Sequence, residues 1–196
     1  MKILFATKNE GKLREIREIL GPDYEVLSLL DLAEVPEIVE DGTSFEENAL
    51  IKVRAIGPQK DTVVLADDSG LCIDAFSGGP GVYSSRFLGE DTDYIFKNNY
   101  ILEKLSGLPD EQRGAHYSCV IAALFPDGTE AVTEARMEGI ISEKPMGSGG
   151  FGYDPILYLP AYEKTSAELT AEEKNAISHR GKALRAMKKM IEERWA

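Results

Sequence analysis

Short apolar segments with the character of strands alternate along this chain with segments whose apolar residues recur at helical spacing. Residues 2–6 predict a buried strand, and Leu13, Ile16 and Leu20 then fall on one stripe of a helix. Strand and helix patterns continue to alternate towards the end of the chain, without an internal repeat or a low-complexity linker. This alternation indicates a mixed α/β architecture built around a sheet.

The remaining elements are predicted from apolar runs, capping residues and turn residues. Strands are expected at residues 25–29, 62–66, 71–76, 116–125, 131–141 and 156–159, with the polar residues 67–70 interrupting the chain after the second of these. Ser44 and Thr170 each precede a glutamate by three residues, so a helix with a capping box is expected after each. Apolar stripes predict two more helices, at Ile95, Leu102 and Leu105 and at Leu184, Met187, Ile191 and Trp195. The turn at residues 126–129 predicts an antiparallel hairpin late in the chain.

Acidic residues outnumber basic ones, 34 Asp and Glu against 22 Lys and Arg, so the 196 residues carry a formal net charge of −12 with both histidines neutral. This excess argues against a protein that coats nucleic acid or an anionic membrane, since such partners require a basic surface. A chain of this size buries about 70% of the surface that its unfolded form exposes, so a sizeable core is possible. An anionic ligand would need a local group of basic residues, or a metal ion, to hold it.

The first apolar segment becomes polar by Lys8, which is too short for a secretory signal, and no later apolar run approaches the length of a membrane span. We therefore expect a cytoplasmic protein. Cys72 and Cys119 lie within apolar segments, and neither has the spacing of a metal or redox motif. Buried thiols are expected, with a disulfide, a metal site or a nucleophile as the alternatives.

The polar segment between the first strand and the first helix is a candidate anion site. It consists of Thr7, Lys8, Asn9, Glu10, Gly11 and Lys12. Backbone N–H groups and the positive end of a helix favour an anion at such a junction, and the two lysines add positive charge. The segment is not a Walker-A loop, because Ala6 and Leu13 stand where that motif requires glycine and a hydroxyl residue. A solvated turn is the alternative.

Two adjacent carboxylates, Asp67 and Asp68, follow the predicted strand at residues 62–66. Ligands of open α/β sheets bind beyond the carboxyl ends of the strands, and neighbouring side chains point to opposite sides, so one carboxylate is expected to face a ligand. That carboxylate could hold Mg²⁺ or accept a proton from water. An Asx-type turn leading into Gly70 is the alternative.

Charged residues outside this pair extend the list of candidates. Glu40 and Asp41, before the second helix, are a second source of carboxylates for a cation, or partners of the helix dipole. Lys174, His179 and Arg180 bring two permanent cations and a histidine into seven residues, although a solvated helix face gives the same pattern.

The glycine-rich residues 149–154 place two aromatic residues, Phe151 and Tyr153, between glycines. Such a loop would let a flat ring lie against backbone and aromatic faces, as base stacking requires. A core aromatic residue flanked by turns is the alternative.

Taken together, these segments resemble the inosine/xanthosine triphosphate pyrophosphatase family, whose members hydrolyse non-standard purine nucleoside triphosphates. The resemblance runs in register through six segments, residues 6–12 (ATKNEGK), 44–49 (SFEENA), 66–71 (ADDSGL), 80–86 (PGVYSSR), 149–155 (GGFGYDP) and 178–180 (SHR). One such match would mean little, but six in order over nearly the whole chain are very specific. The one departure is Lys8, where many relatives have glycine, and an extra positive charge beside a phosphate loop should be tolerated.

The resemblance implies an α/β fold in which a long mixed β-sheet and flanking helices form two lobes around a central cleft, with residues 1–196 as a single domain. It also implies a cytoplasmic homodimer that binds a nucleoside triphosphate, with no nucleic-acid or membrane partner. The implied reaction is the Mg²⁺-dependent hydrolysis of ITP, dITP or XTP to the monophosphate and pyrophosphate, which would keep these nucleotides out of DNA and RNA.

The resemblance also assigns roles to residues, position by position. It implies that residues 7–12 bind the triphosphate, that Asp68 accepts a proton and binds the metal together with Glu40, and that Ser69 contacts the substrate. It further implies that the base, the sugar and the phosphates are bound by Phe151, Gly152, Tyr153, Asp154, Lys174, His179 and Arg180.

Base selection would follow if His179 and Arg180 donate hydrogen bonds to the 6-oxo group of the purine. The 6-amino group of ATP would then meet donors with donors, and polar mismatches of this kind give on the order of 10⁴-fold discrimination. Two rival functions stay open: a pyrophosphatase selective for altered pyrimidine nucleotides on a related fold, and a nucleotide-binding sensor without turnover.

Overall fold

The computed structural model describes residues 1–195, and the side chain of Trp195, expected on the last apolar stripe, lies outside the described residues. The strands are β1 (Lys2–Phe5), β2 (Glu25–Ser28), β3 (Thr62–Ile73), β4 (Gly114–Leu124), β5 (Glu130–Ile141), β6 (Leu157–Leu159) and β7 (Lys164–Thr165). The α-helices are α1 (Glu10–Leu20), α2 (Phe45–Ile56), α3 (Tyr94–Lys104), α4 (Ala171–Ile177) and α5 (His179–Trp195). Every helix predicted from the sequence is present.

The seven strands form one mixed sheet in the order β2-β1-β3-β4-β5-β6-β7. β1 runs parallel to both of its neighbours, so Lys2 lies opposite Glu25 of β2 and Thr62 of β3. β6 is antiparallel to β5 and to β7. The predicted turn between β4 and β5 is also present, since the Phe125 N–H donates to the Thr129 carbonyl over 2.9 Å. The predicted α/β class with a long mixed sheet is confirmed.

The chain divides into two compact units. The first comprises Met1–Asp68, Cys119–Ala135 and the chain from His179 onward, and the second comprises Ser69–Ser118 and Arg136–Ser178. β3, β4 and β5 each contribute residues to both units. A single two-lobed domain over the whole chain stays a prediction from the family resemblance.

Within the first unit, successive residues of β3 pack against different helices, as the two-residue period of a strand requires. Val63 and Leu65 belong to a buried cluster with residues of α1 and α5, whereas Val64 and Ala66 pack with residues of α2. The adjacent carboxylates follow directly on the same strand. The alternation therefore directs the two acidic side chains towards different helices.

The polar residues 67–70 do not interrupt the strand, and the prediction of two separate strands there was wrong. Gly70 looked like a turn residue, but its missing side chain allows close packing instead. A Cβ at this position would lie 2.2 Å from the Gly81 carbonyl oxygen and 2.5 Å from Ser84 Oγ. Polar residues can continue a buried strand wherever other groups satisfy them.

The core of the second unit includes Ile101 of α3 and Leu105, the residue that caps the end of this helix. Ile95, which was predicted on one stripe with Leu102 and Leu105, is instead 76% exposed. It lies six residues before Ile101 and so about 120° around the helix from it. The buried residues of α3 are Lys97, Asn98 and Ile101, so two polar residues share this face with an apolar one.

One of the two predicted capping boxes is complete. At α4 Thr170 Oγ1 accepts the Glu173 N–H (3.1 Å), and the Glu173 carboxylate accepts the Thr170 N–H (2.8 Å). At α2 Ser44 Oγ accepts the Glu47 N–H (3.1 Å), but the Glu47 carboxylate accepts the N–H of Thr43 (2.7 Å). Both helices begin where the sequence predicted.

The cysteines are buried thiols that form no disulfide, as predicted. Burial raises the pKa of Cys119 to about 12, so this thiol is not a nucleophile at neutral pH. In residues 1–195, none of the helices has both the length and the apolar character that a membrane span needs.

Candidate active site

The loop after β1 leads its polar residues to the start of α1. Asn9 caps this helix, since its side-chain oxygen accepts the N–H of Lys12 (3.0 Å), and Thr7 Oγ1 accepts the N–H of Asn9 (3.1 Å). Lys8 and Glu10 are exposed. The predicted junction of strand, turn and helix is therefore present, with the positive end of an 11-residue helix at the loop.

Asp67 lies at the centre of a buried ion network in the first unit. Its Oδ1 accepts a hydrogen bond from Lys12 Nζ (2.9 Å), and its Oδ2 accepts from Nε and Nη2 of Arg180 (3.3 and 3.2 Å). Burial disfavours the charged carboxylate, but Lys12, Arg180 and Lys52 outweigh burial and hold the pKa of Asp67 well below its usual range. Asp67 therefore stays ionised and pairs with Lys12 and Arg180.

Asp68 has different neighbours and the opposite shift. Its Oδ1 accepts from Lys52 Nζ (3.1 Å), and its Oδ2 accepts from Nδ2 of Asn48 (3.1 Å). Burial raises the pKa of Asp68, and the attraction of Lys52 and Lys12 offsets this only in part. Two carboxylates whose surroundings move their pKa values apart are suited to different tasks, and Asp68 is the better proton acceptor of the two.

Lys52 of α2, which was not predicted to take part in the site, joins Asp68 to Glu40. Its Nζ lies 2.7 Å from Glu40 Oε2 and also donates to the Asp67 carbonyl oxygen (3.0 Å). Burial lowers the pKa of Lys52, but the carboxylates of Asp68, Asp67 and Glu40 outweigh it and raise the pKa. Glu40 and Asp68, which were predicted to share a metal ion, are thus brought together around an ammonium group.

Asn48, one turn before Lys52, orients Asp68 and was also missed. Its Oδ1 accepts the Gly42 N–H (2.9 Å), which turns Nδ2 towards Asp68. A signal was available, because both residues lie next to the apolar stripe of α2 at Ala49 and Val53. A buried polar side chain on such a face needs a partner.

Arg180 is buried between two carboxylates of the first unit. Its Nη1 pairs with Glu15 of α1, and the other edge of the guanidinium pairs with Asp67. Burial lowers the pKa of Arg180, but Asp67 and Glu15 more than compensate and raise it. His179, the first residue of α5, is buried as well. Glu15 carried no signal in the sequence.

In the second unit, Asp154 brings together two other predicted substrate contacts, Phe151 and Lys174. Its Oδ2 accepts the Phe151 N–H and Lys174 Nζ, both at 2.8 Å, and its Oδ1 accepts from Ser166 Oγ (2.9 Å). Lys174 Nζ also lies 5.0 Å from the centroid of the Phe151 ring. Gly150 has a φ of +68°, and a Cβ there would lie 2.1 Å from Asp154 Oδ2, so only glycine permits this arrangement.

The two aromatic residues of this loop differ in exposure. Tyr153 is buried, and its hydroxyl donates to the Ser84 carbonyl (2.7 Å). Burial raises the pKa of Tyr153. Phe151 is half-buried, as are Gly152 and Ser69. Tyr153 is therefore a core aromatic residue, which was the alternative for this loop, whereas Phe151 is only partly covered.

Glu40 and Asp68 are two carboxylates that could hold a divalent cation. Among residues 1–195 no group of three or more His, Cys, Asp and Glu side chains could hold a metal ion on its own. Mg²⁺ needs no such group, because it keeps several waters and binds one or two carboxylates together with substrate phosphates. Glu40 and Asp68 share one ammonium group, that of Lys52, so carboxylates outnumber cations among these three side chains and a further cation suits the formal charge.

Several known proteins are similar to this chain in sequence and in fold over nearly their whole length. The profile of the Ham1 family matches residues 3–190. The chain is 47% identical over 193 residues to the dITP/XTP pyrophosphatase of Geobacillus kaustophilus, with 98% of this chain and 95% of the relative covered. It is 43% identical over 195 residues to the dITP/XTP pyrophosphatase of Streptomyces coelicolor, with 98% of each covered.

The fold is similar to that of a solved HAM1 protein from Coxiella burnetii. The TM-score is 0.87 at 39% sequence identity, with 98% of this chain and 99% of that chain covered. A nucleoside-triphosphatase / dITP/XTP pyrophosphatase from Mycobacterium abscessus has a TM-score of 0.74 at 44% identity, with 95% and 98% covered. The sequence and the fold agree with those of Ham1 proteins over nearly the whole chain, and this chain therefore belongs to the Ham1 family.

Proposed function

We propose that the chain hydrolyses dITP, ITP and XTP to the monophosphate and pyrophosphate, and so keeps non-standard purine nucleotides out of DNA and RNA. The observation that carries this proposal is Asp68, a buried carboxylate of raised pKa held by Asn48 and Lys52. It lies in a chain whose relatives, 42–47% identical over nearly the full length, bear the name dITP/XTP pyrophosphatase.

Asp68 is the proposed proton acceptor. As the water oxygen attacks the α-phosphorus, Asp68 takes the proton, the bond from the α-phosphorus to the bridging oxygen breaks, and pyrophosphate leaves with that oxygen. Lys52 and Asn48 fix the carboxylate in place, so little reorganisation is needed during the reaction.

The triphosphate is proposed to bind at residues 7–12, with Lys12 and Lys174 supplying positive charge. Each lysine is already held by a carboxylate, Lys12 by Asp67 and Lys174 by Asp154. The side-chain entropy of ordering these lysines is therefore lost on folding and not on binding. This arrangement provides the local basic groups that a chain of net charge −12 needs for an anionic substrate.

We infer that Mg²⁺ is the cofactor and that Glu40 and Asp68 hold it. When bound, the ion would neutralise charge on the phosphate oxygens. Lys52 keeps both carboxylates close together before the cation arrives.

Base selection is proposed to involve His179 and Arg180, with Ser69, Phe151, Gly152 and Tyr153 as further substrate contacts. Asp67 and Glu15 fix the plane of the Arg180 guanidinium, which suits a donor that must meet a 6-oxo group in one geometry. The half-buried Phe151 ring is suited to stacking.

We further propose that the chain forms a homodimer in the cytoplasm. Ile95 and Phe96, in the first turn of α3, are 76% and 58% exposed, and large exposed apolar side chains in one place mark contact surfaces. Replacing both with lysine is expected to halve the molar mass measured by light scattering, because buried ammonium groups would oppose association. Leu30→Lys, at an exposed apolar residue of the first unit, is the matched control. A variant that keeps the mass of two chains would show that these side chains lie outside the dimer contact.

The test of the proposed function is a ranking of kcat/KM across dITP, ITP, XTP, GTP, ATP and altered pyrimidine triphosphates, with pyrophosphate measured directly. We expect dITP, ITP and XTP to rank first. Preference for the pyrimidines would overturn the substrate assignment. Tight binding of dITP without pyrophosphate would favour a sensor.

A further inference from the structure

Two residues of α3, Tyr94 and Asn98, contact the loop Phe151–Asp154 without any part in the mechanism above. We propose that they are positioning residues, which hold this loop in the conformation that receives the purine base. The identity of the ligand in this proposal rests on the proposed function. The contacts that hold the loop are made within the second unit alone.

Asn98 makes one hydrogen bond to the loop. Its Nδ2 donates to the Gly152 carbonyl (3.1 Å), and the side chain is buried. Its Oδ1 is also buried and has no hydrogen-bond partner among the residues that the structure describes. An unpaired buried amide oxygen costs stability, and an apolar residue of similar size would fill the space without that cost. The hydrogen bond to Gly152 is therefore the reason for an asparagine at this place.

The loop needs such an external contact because of its glycines. Gly150 and Gly152 have φ angles of +68° and +69°, and glycine is free to leave such conformations at little cost. The Phe151 N–H is fixed by the Asp154 carboxylate on one side. On the other side, Asn98 fixes the carbonyl of the next residue. Phe151, which is half-buried, thus lies in a two-residue segment whose first N–H and last carbonyl are both held by hydrogen bonds.

Tyr94 supports the same segment through its ring. The Tyr94 and Tyr153 rings meet edge to face, with centroids 5.1 Å apart and planes at 88°. A Cβ on Gly152 would lie 3.6 Å from Tyr94 Cε1, so the ring also covers that glycine. Lys97, between the two positioning residues, lies 4.9 Å from the centroid of the Tyr94 ring and donates to the Ser85 carbonyl (2.6 Å).

The polar residues on the buried face of α3 are explained by this contact. Lys97 and Asn98 occupy positions that a helix serving only the core would fill with apolar residues. Both instead donate to backbone carbonyls of neighbouring segments. Losing these contacts is expected to weaken binding of the base more than the chemical step, because Asn98 and Tyr94 contact the loop that is proposed to receive the base.

The experiment compares Asn98→Ala with Asn99→Ala, an exposed asparagine one residue further along α3. We expect Asn98→Ala to speed amide hydrogen exchange in peptides covering residues 148–156 of the substrate-free protein. It should also raise KM for dITP about tenfold, with kcat within about threefold of the original, as expected for one lost hydrogen bond. Asn99→Ala should change neither.

Tyr94 gives a second, independent pair of variants. Tyr94→Phe keeps the ring and should leave KM unchanged, whereas Tyr94→Ala should raise it. Tyr94 is more than one-third exposed, so both variants should fold even if Asn98→Ala does not.

Each outcome decides one claim. Unchanged exchange in both Asn98→Ala and Tyr94→Ala would overturn the hold on the loop. Faster exchange with an unchanged KM, in an enzyme that hydrolyses dITP, would overturn its link to base binding. If the original protein does not hydrolyse dITP, the proposed function fails, and the exchange data alone then support or overturn the hold of α3 on the loop.

Discussion

Replacing Asp68 with asparagine is expected to lower kcat for dITP by about 10²- to 10⁴-fold while KM stays within about threefold. The amide has the size of the carboxylate, but it has one acceptor oxygen for the two donors of Asn48 and Lys52, and it cannot take a proton from water. Burial raises the pKa of Asp68, whereas Asp68 raises the pKa of Lys52, so the neutral amide removes the cost of one buried charge and also a partner of another. Lys52 keeps Glu40 and the Asp67 carbonyl oxygen as partners, so we expect Tm to fall by only a few degrees.

The matched control is Asp91→Asn, at an exposed aspartate. It should leave kcat, KM and Tm unchanged. A large loss of kcat in a protein that is still folded at the assay temperature separates a chemical role from a structural one, because a residue needed only for folding would lower Tm and activity together. A kcat near the original value in Asp68→Asn would remove Asp68 from the mechanism.

Replacing Arg180 with methionine is expected to destabilise the chain by about 3–5 kcal/mol, because it leaves Glu15 and Asp67 buried without their shared cation. For a chain of this size, the loss should lower Tm by about 10 °C in a thermal melt. The methionine fills much of the same volume, so the effect reports the charge more than a cavity.

Arg14→Met, at an exposed arginine of α1, is the control for Arg180→Met and should leave Tm unchanged. Adding Glu15→Gln to Arg180→Met should recover part of the lost stability, since one of the two uncompensated charges is gone. A Tm for Arg180→Met within about 2 °C of the original would contradict the buried network.

Arg180→Ala should also narrow the preference for ITP over ATP, and an unchanged ratio of kcat/KM values for the two nucleotides would mean that other residues select the base.

Local patterns were sufficient to predict much of the fold. Apolar runs and caps depend on residues near in sequence, and so β1, α1 and the turn at residues 126–129 could be predicted. The alternation along β3 also explains why Asp67 and Asp68 have separate surroundings. The break at residues 67–70 was wrong because Lys12 and Lys52, which satisfy these carboxylates, come from segments distant in sequence.

The partners in the candidate site were harder to predict than the residues themselves. Asn48 and Lys52 lie beside an apolar stripe and could have been noticed as polar residues on a buried face. Glu15 and Ser166 carry no such signal, because their roles depend on Arg180 and Asp154, which are 165 and 12 residues away in the chain. Contacts of this kind are set by packing, and only the folded chain reveals them.

Hydrolysis of dITP in ¹⁸O-labelled water with Mg²⁺ tests the central claim most directly. Attack of water on the α-phosphorus should place one ¹⁸O atom in dIMP and none in pyrophosphate, with the two products formed in equal amounts. Label in pyrophosphate, or formation of dIDP and phosphate, would contradict the proposed reaction.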